Sequence, residues 1–239
     1  MTKIEICCDS INSLKKSVDM GVSRIELCSE LSVGGLTPSY GFIKEALKYS
    51  KDIPIRVLIR PRAGDFHYNN FDIEIMKNDI YEVKKLGVEG VVVGIVDNKG
   101  ELPITKIADI VDSANGLSMT FHRAFDLLKN PKIQINNIIE LGFDTILSSG
   151  KQEKAIDGLI YLNRLKKYAD NKIFVMPGAG INHKNTAKFI QNGFKWIHMS
   201  AKRKKDLTKK NKNIFLDQEI CELDENILKK VMKLIQTKV

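Results

Sequence analysis

Several short apolar segments of this 239-residue sequence also contain carboxylate, thiol, imidazole or guanidinium side chains. Burying such groups costs free energy unless they pair with other protein groups or bind a ligand or metal ion. Two carboxylates beside an imidazole and an arginine could perform acid–base chemistry on an anionic substrate. Two neighbouring thiols could hold a soft metal ion. The residues concerned are Glu5, Cys7, Glu26, Cys28, Arg60, His122, His198 and Ser200.

The segments that carry these residues belong to a regular alternation of predicted strands and helices. Short β-branched runs alternate with longer amphipathic stretches, and a Gly often stands just before the next strand. The predicted strands cover 3–8, 24–28, 55–60, 90–95, 117–122, 145–149, 173–176 and 196–200. The predicted helices cover 10–20, 38–49, 72–86, 103–114, 126–141, 152–168, 183–192 and 224–236. Eight of each predict an α/β protein folded as a single (β/α)8 TIM barrel.

No linker interrupts this alternation, which predicts one domain over residues 1–239. A basic stretch at about 201–216 is expected as an insertion between strand 8 and helix 8. Within it, residues 202–212 hold seven basic residues and one acid, and so supply +6 of the net charge of +9. Because no aromatic residue is interleaved there, we interpret the stretch as a solvated loop and expect no nucleic-acid partner.

The alternation of side chains along each strand predicts which residues enter the barrel. Alternate residues face the interior, and the others pack against the helices. A carboxylate is poorly suited to the dry strand–helix layer, so the set containing Glu5 and Glu26 should point inward. TIM barrels place their active sites where the strands end. We therefore expect catalytic candidates Glu5, Glu26, His122 and Arg60 at the C-terminal mouth; alternatively, a carboxylate pairs with Arg60 and only holds the barrel closed.

Loops at the same mouth supply further candidates for substrate binding. The sequence PGAGI after strand 7 offers backbone N–H groups to an anion, and loops after strands 7 and 8 often bind phosphate in this fold. Arginines in the loops after strands 3 and 5 could grip a carboxylate or phosphate. The predicted substrate-binding residues are Arg62, Asp65, Arg123, Gly178, Gly180, His198 and Ser200.

Six stretches at strand ends carry a family resemblance. They are EICCDS at 5–10, RIELCSELSVGGLTPSYG at 24–41, IRPRAGDFHY at 59–68, TFHRAFD at 120–126, ILSSG at 146–150 and PGAGI at 177–181. Through them the sequence resembles the CutC family, known as copper homeostasis proteins. Two positions depart from the family pattern: Ala63 stands where Gly is usual, and Ser148 where Thr is usual.

The resemblance implies a single (β/α)8 barrel that forms a homo-oligomer, a dimer or a tetramer, and that takes part in intracellular copper handling. It also implies that cysteines at these positions ligate Cu(I), with Cys28 and either Cys7 or its neighbour Cys8 as ligands. Strand alternation places Cys7 and Cys28 inward on adjacent strands and Cys8 toward the helices. Copper would then be the cofactor or the bound partner.

An enzyme is the alternative function, with a small anionic or phosphorylated substrate as its partner. Isomerase or lyase chemistry would use a Glu and His122 as base and acid. A divalent metal on His122, His198 and a carboxylate is a further option, although no motif such as H-E-x-x-H supports it. These residues do not decide between an enzyme and a copper-binding protein.

The sequence also predicts where the protein works. The N-terminus lacks the pattern of a signal peptide, and no apolar run approaches the ~18–20 residues of a membrane span. We therefore expect a cytoplasmic protein with no membrane partner. In that compartment the four cysteines should be reduced thiols.

Overall fold

The computed structural model describes residues 1–204 and 221–237. Within them, eight parallel strands form a nearly closed barrel, and the predicted TIM barrel is confirmed. The strands are β1 (Lys3–Cys8), β2 (Arg24–Leu27), β3 (Ile55–Leu58), β4 (Gly90–Val93), β5 (Ser118–Phe121), β6 (Thr145–Ser148), β7 (Phe174–Pro177) and β8 (Trp196–Met199). Neighbouring strands follow the order β7-β6-β5-β4-β3-β2-β1-β8. Residues of β7 and β8 also contact each other, which completes the ring.

Helices follow the strands and cover the outside of the barrel. In the described residues they are α1 (Ile11–Asp19), α2 (Tyr40–Tyr49), α3 (Asn70–Lys85), α4 (Ile104–Ser113), α5 (Pro131–Glu140), α6 (Leu159–Ala169), α7 (Thr186–Gln191) and α8 (Glu225–Gln236). The side chains of Ser10, Ser39 and Asn69 cap the first three helices by accepting backbone N–H groups. Because each helix begins after a strand has ended, these caps lie toward the C-terminal mouth.

Helix α5 begins later than the predicted 126–141. A short 3-10 helix, Arg123–Leu127, follows β5 first. Asn130 then adopts a left-handed backbone conformation with a φ of 51°, which a continuous helix cannot contain. Pro131 opens the helix, a favourable position because its missing N–H would be unpaired there anyway.

Helix α6 also begins later than the predicted 152–168, since turns occupy the residues before Leu159. The backbones of Gly150 and Gly158 approach closely in this segment. A Cβ atom on Gly158 would lie 2.1 Å from the carbonyl oxygen of Ser149. This loop and the one after β5 are therefore both longer than predicted, and both border the mouth.

The two side-chain sets of the strands have different surroundings. Ile4, Ile6, Ile25 and Leu27 are fully or almost fully buried in the main apolar cluster between strands and helices. The inward set is polar at both ends of the barrel. This division follows the predicted alternation.

At the N-terminal end, the inward-facing guanidinium of Arg56 joins two carboxylates. Its Nε lies 3.0 Å from Glu89, and its Nη1 lies 2.8 Å from Asp144. It also donates a hydrogen bond to the hydroxyl of Thr120. These ion pairs stabilise the end of the barrel opposite the mouth.

Strand β8 leads into an antiparallel pair, β9 (Lys202–Lys204) and β10 (Cys221–Leu223). Most of the predicted basic insertion at 201–216 falls between these strands, and residues 205–220 lie outside the described residues. The single domain over 1–239 stays a prediction. Among the described residues, no helix is both long and apolar enough to cross a membrane.

Candidate functional site

A cavity of about 690 Å³ opens where the barrel strands end. Its volume falls in the range of about 300–1,000 Å³ that is usual for small-molecule sites. Residues predicted from the inward side of the strands line it together with the loops after β5, β7 and β8. Of the predicted site residues, the lining includes Cys7, Glu26, Arg60, His122, Arg123, Gly180, His198 and Ser200.

Glu5 is fully buried and lies one inward position below Cys7 on β1. Strand register sets it opposite Arg24 of β2 and His198 of β8. Arg24 Nε donates to Glu5 Oε2 at 2.5 Å, and His198 Nδ1 lies 2.7 Å from Oε1. Burial by itself raises the pKa of Glu5, but the Arg24 charge and the His198 hydrogen bond outweigh it and lower the pKa to about 2. Glu5 is therefore charged near neutral pH, and each of its oxygen atoms has a partner.

Glu26 is the carboxylate that the cavity reaches. It is 5% exposed, and its Oε2 has no hydrogen-bond partner in the part of the chain that the structure describes. Burial raises the pKa of Glu26 to about 7, against the attraction of a charged His198. A carboxylate with this pKa can both accept and return a proton near neutral pH.

His198 stands between these two carboxylates. Burial alone would lower the pKa of its imidazole, but the Glu26 charge and hydrogen bonds to Cys7 and Glu5 raise the pKa well above 6.5. Because Nδ1 is engaged by Glu5, the other ring nitrogen is the one available to the cavity.

Two thiols lie together near the cavity, with Cys7 in the lining and Cys28 fully buried beside it. Cys7 Sγ and Cys28 Sγ are 3.4 Å apart, while Cys8 points the other way, to Ser17 of α1. The hydrogen bond with Cys28 and burial raise the pKa of Cys7 well above 9.0. The same hydrogen bond lowers the pKa of Cys28, but burial and the Glu26 charge outweigh it and raise that pKa too. Both thiols are thus protonated, and a metal would have to displace their protons.

Arg60 carries a charge that no carboxylate balances among the described residues. Its guanidinium donates to the carbonyl oxygens of Val33, Gly35 and Gly64, each at 2.8 Å. It lies over the Phe66 ring, 5.0 Å from the ring centroid, and its buried Nε has no partner in the described chain. The alternative, in which Glu5 or Glu26 pairs with Arg60, is not what forms: Glu5 pairs with Arg24, and neither carboxylate makes an ion pair with Arg60.

His122 is a buried, neutral imidazole. Its Nδ1 accepts the Ala124 backbone N–H at 3.1 Å, which leaves the proton on Nε2, an atom without a partner in the described chain. Burial first, and then the Arg60 charge, lower the pKa of His122 to about 3. Gly94 makes room for the ring, because a Cβ atom there would lie 2.3 Å from Nδ1.

Arg123, Gly180 and Ser200 line the cavity, and their role in substrate binding stays a prediction. Arg123 is anchored by its Nη2, which donates to Ser149 Oγ at 2.9 Å, and by Asp126 at 3.4 Å. A second guanidinium, from Arg123, and the glycine-rich loop with Gly180 therefore line the same cavity as Arg60.

Five predicted site residues lie outside the cavity lining: the buried Glu5 and Cys28, and the predicted substrate-binding residues Arg62, Asp65 and Gly178. Arg62 pairs with Asp65 at 3.0 Å and with Asp72 at 3.2 Å, near the surface. Gly178 instead sits in a narrow space, where a Cβ atom would approach Leu147 Cδ1 to 2.5 Å. Their predicted roles in substrate binding stay predictions.

Comparison with known proteins decides the family. The model of the CutC family matches residues 2–203. The chain belongs to the CutC family. It is 44% identical to a CutC family protein of Glaesserella parasuis and 40% identical to one of Pasteurella multocida, in each case over 84% of this chain and 82% of the relative. The solved CutC structure from Streptococcus agalactiae, named for copper homeostasis, is 35% identical with a TM-score of 0.79, over 84% of this chain and 99% of that one.

The CutC match confirms the resemblance read from the sequence motifs. It covers every predicted site residue of this CutC chain, from Glu5 to Ser200. It ends just before the residues that lie outside the described part of the chain. The basic segment therefore lies mostly beyond the matched region.

Sequence reasoning missed several residues of this CutC site. Arg24 has the same inward alternation as Glu26, so its side chain could have been placed in the barrel, but its pairing with Glu5 depends on strand register. Phe66 and Lys184 line the cavity from loops. No periodic signal marks loop residues, and only their nearness to strand ends could have suggested them.

The low pKa of His122 predicts a pH-dependent contribution to stability. The unfolded chain binds a proton at this ring below its ordinary pKa of 6.5, whereas the folded ring with a pKa of about 3 does not. The free energy of unfolding should therefore fall as the pH drops, by about 1.5 kcal/mol between pH 6.5 and 5 from this residue alone.

His122→Asn keeps a hydrogen-bond acceptor but cannot titrate, and so serves as the comparison. Urea unfolding at both pH values should show the wild type losing about 1.5 kcal/mol more than the variant. Equal losses in the two proteins would contradict a neutral, buried His122.

Proposed function

We propose that this CutC protein binds Cu(I) through Cys7 and Cys28 and handles copper in the cytoplasm. The observation that carries the proposal is the thiol pair, whose sulfur atoms are 3.4 Å apart. The name of the Streptococcus agalactiae relative, a copper homeostasis protein, supports the same direction. Copper would be the ligand or cargo of the protein.

The surroundings of the two thiols suit a soft monovalent ion. Thiolates select Cu(I), and a pair of them suffices to hold it. Cys7 lines the cavity and offers a path of entry, whereas Cys28 is fully buried against Leu58 and Val92. Apolar walls around the sulfur atoms would exclude water from the bound ion.

Removal of either thiol should abolish tight Cu(I) binding. Under anaerobic conditions, a chromophoric Cu(I) chelator competes with the wild type, Cys7→Ser and Cys28→Ser. We expect each variant to lose about 100-fold or more in affinity, beyond the 10–100-fold typical of losing only an outer partner of a metal ligand. Cys221→Ser removes an exposed thiol and is the matched control.

Wild-type affinity in Cys28→Ser would contradict the proposal. So would an equal loss in Cys221→Ser, because copper would then be held by accessible thiols in general. Circular dichroism of each variant establishes that the protein compared is folded.

A second function, acid–base catalysis on a small anionic substrate, is favoured by the charge of Arg60. Three carbonyl oxygens hold this guanidinium at the cavity, and no described carboxylate neutralises it. A buried cation without a counter-ion is costly unless a ligand supplies the negative charge. The cavity would thus receive a carboxylate or phosphate group of the substrate.

The groups for proton transfer face the same space. Glu26 has an unpartnered Oε2 and would act as the base. His122 presents an unpartnered Nε2–H and, as a neutral imidazole, would donate a hydrogen bond to an oxygen of the substrate. Arg123 and the backbone at Gly180 would bind the far end of the substrate. Isomerase or lyase chemistry that begins with removal of a proton would use such a base together with a hydrogen-bond donor and an anion-binding guanidinium.

Inorganic phosphate is the probe for the anion site. In a titration followed by NMR, we expect phosphate to shift the backbone signal of Gly180 and Arg60→Met to weaken binding about 10–100-fold, the worth of a hydrogen bond to a charged group. Arg164→Met changes an exposed arginine on α6 and should bind as the wild type does. Phosphate binding that Arg60→Met leaves unchanged would exclude this anion site.

A further inference from the structure

Three different metal-binding atoms converge at one point of the cavity wall. Cys7, Glu26 and His198 each offer one ligand atom, and these atoms lie within 4.8 Å of one another. They come from β1, β2 and β8, which are adjacent in the barrel, and register sets Cys7 directly opposite Glu26. The cluster differs from the thiol pair, because Cys28 is not part of it.

His198 is oriented as a metal-binding histidine would be. Its Nδ1 lies 2.7 Å from Glu5 Oε1, which fixes the ring and leaves Nε2 as the ring nitrogen for a ligand, and His198 lines the cavity. Metal-binding histidines almost always engage a carboxylate or carbonyl through the second ring nitrogen in this way, and a zinc ion would displace the proton that the charged ring carries on Nε2. Arg24 in turn holds the Glu5 carboxylate.

The carboxylate of Glu26 is an independent indication that this cluster binds a ligand. The residue is 5% exposed, and its Oε2 has no hydrogen-bond partner among the described residues. Buried carboxylate oxygens normally have partners, and an unpaired one is costly. A cation between Glu26, Cys7 and His198 would satisfy this oxygen.

We propose that Cys7, Glu26 and His198 form a Zn²⁺ site with an open coordination position toward the cavity. Zinc is the divalent ion for which thiolate, imidazole and carboxylate ligands are all usual. Zinc–ligand distances of about 2.0–2.3 Å require the three atoms to draw together by about 1 Å. Three protein ligands and one open position are the arrangement of catalytic rather than structural zinc sites.

The open coordination position of the zinc ion indicates which kind of ligand the site would take. All three residues line the cavity, so the fourth position faces the space that Arg60 and Arg123 also border. A water molecule, or an oxygen atom of a small anion held by the arginines, would complete the coordination. This site goes beyond Cu(I) binding and does not depend on it, although both metals would use Cys7 and could not be bound together.

Zinc alone is the probe that tests the proposal. A chromophoric chelator competes for Zn²⁺ with the reduced, metal-free protein, and Co²⁺ replaces zinc for a spectroscopic readout. We expect one zinc per chain, with Glu26→Gln and His198→Gln each weakening zinc binding about 10-fold or more. Bound Co²⁺ should show a thiolate charge-transfer band that disappears in Cys7→Ser.

Two further variants separate this site from the thiol pair. Glu45→Gln changes a partly exposed carboxylate on α2 and is the control for Glu26→Gln, with wild-type zinc affinity expected. Cys28→Ser should lose Cu(I) but retain zinc, whereas Glu26→Gln should lose zinc but retain Cu(I). Zinc affinity that depends on Cys28 and not on Glu26 would overturn the proposal, as would a wild type that binds zinc no better than Cys7→Ser.

Discussion

The buried ion pair between Glu5 and Arg24 is the interaction on which the barrel mouth depends. A carboxylate with no exposed surface is tolerable only when a cation and hydrogen bonds replace its water. Arg24 supplies the cation and itself stacks over Trp196, 4.1 Å from the ring centroid. With one oxygen of Glu5 engaged by Arg24, the other oxygen is left for His198. The orientation of the imidazole at the cavity therefore follows from an ion pair below it.

The buried polar residues of the barrel differ in whether all their polar atoms have hydrogen-bond or ion-pair partners. Glu5, Arg24 and Arg56 form ion pairs with protein groups and keep no buried side-chain atom without a partner in the described chain, which is the behaviour of structural residues. Glu26, Arg60 and His122 each keep a buried atom without a partner in the described chain. Since an unpaired buried polar atom is costly, these three mark where a ligand would bind. Cu(I), Zn²⁺ and a small anion are the occupants that we propose for adjoining parts of this cavity, and both metals would use Cys7.

Strand alternation predicted much of this arrangement. The side-chain period of two, together with the cost of placing Glu5 and Glu26 against the helices, was enough to turn the polar set inward. The barrel and the eight strands followed from the same patterns. Register could not be obtained in this way, because it depends on how neighbouring strands slide against each other. For that reason the sequence suggests Arg60 as a partner for a buried carboxylate, whereas in the structure Arg24 pairs with Glu5. The loops after β5 and β6 were also mistaken for helix, since the left-handed Asn130 and the close approach of Gly150 to Gly158 leave no periodic signal.

The most direct measurement of the dependence on Glu5 is the zinc affinity of Glu5→Gln. This variant keeps the shape of the side chain but removes the charge that orients His198. Glu89→Gln, which alters a carboxylate paired with Arg56 at the opposite end of the barrel, is the matched control. In folded protein, competition with a chelator should show a 10–100-fold loss of zinc affinity in Glu5→Gln and none in Glu89→Gln. Unchanged affinity in Glu5→Gln, or an equal loss in both variants, would contradict the central role of this ion pair.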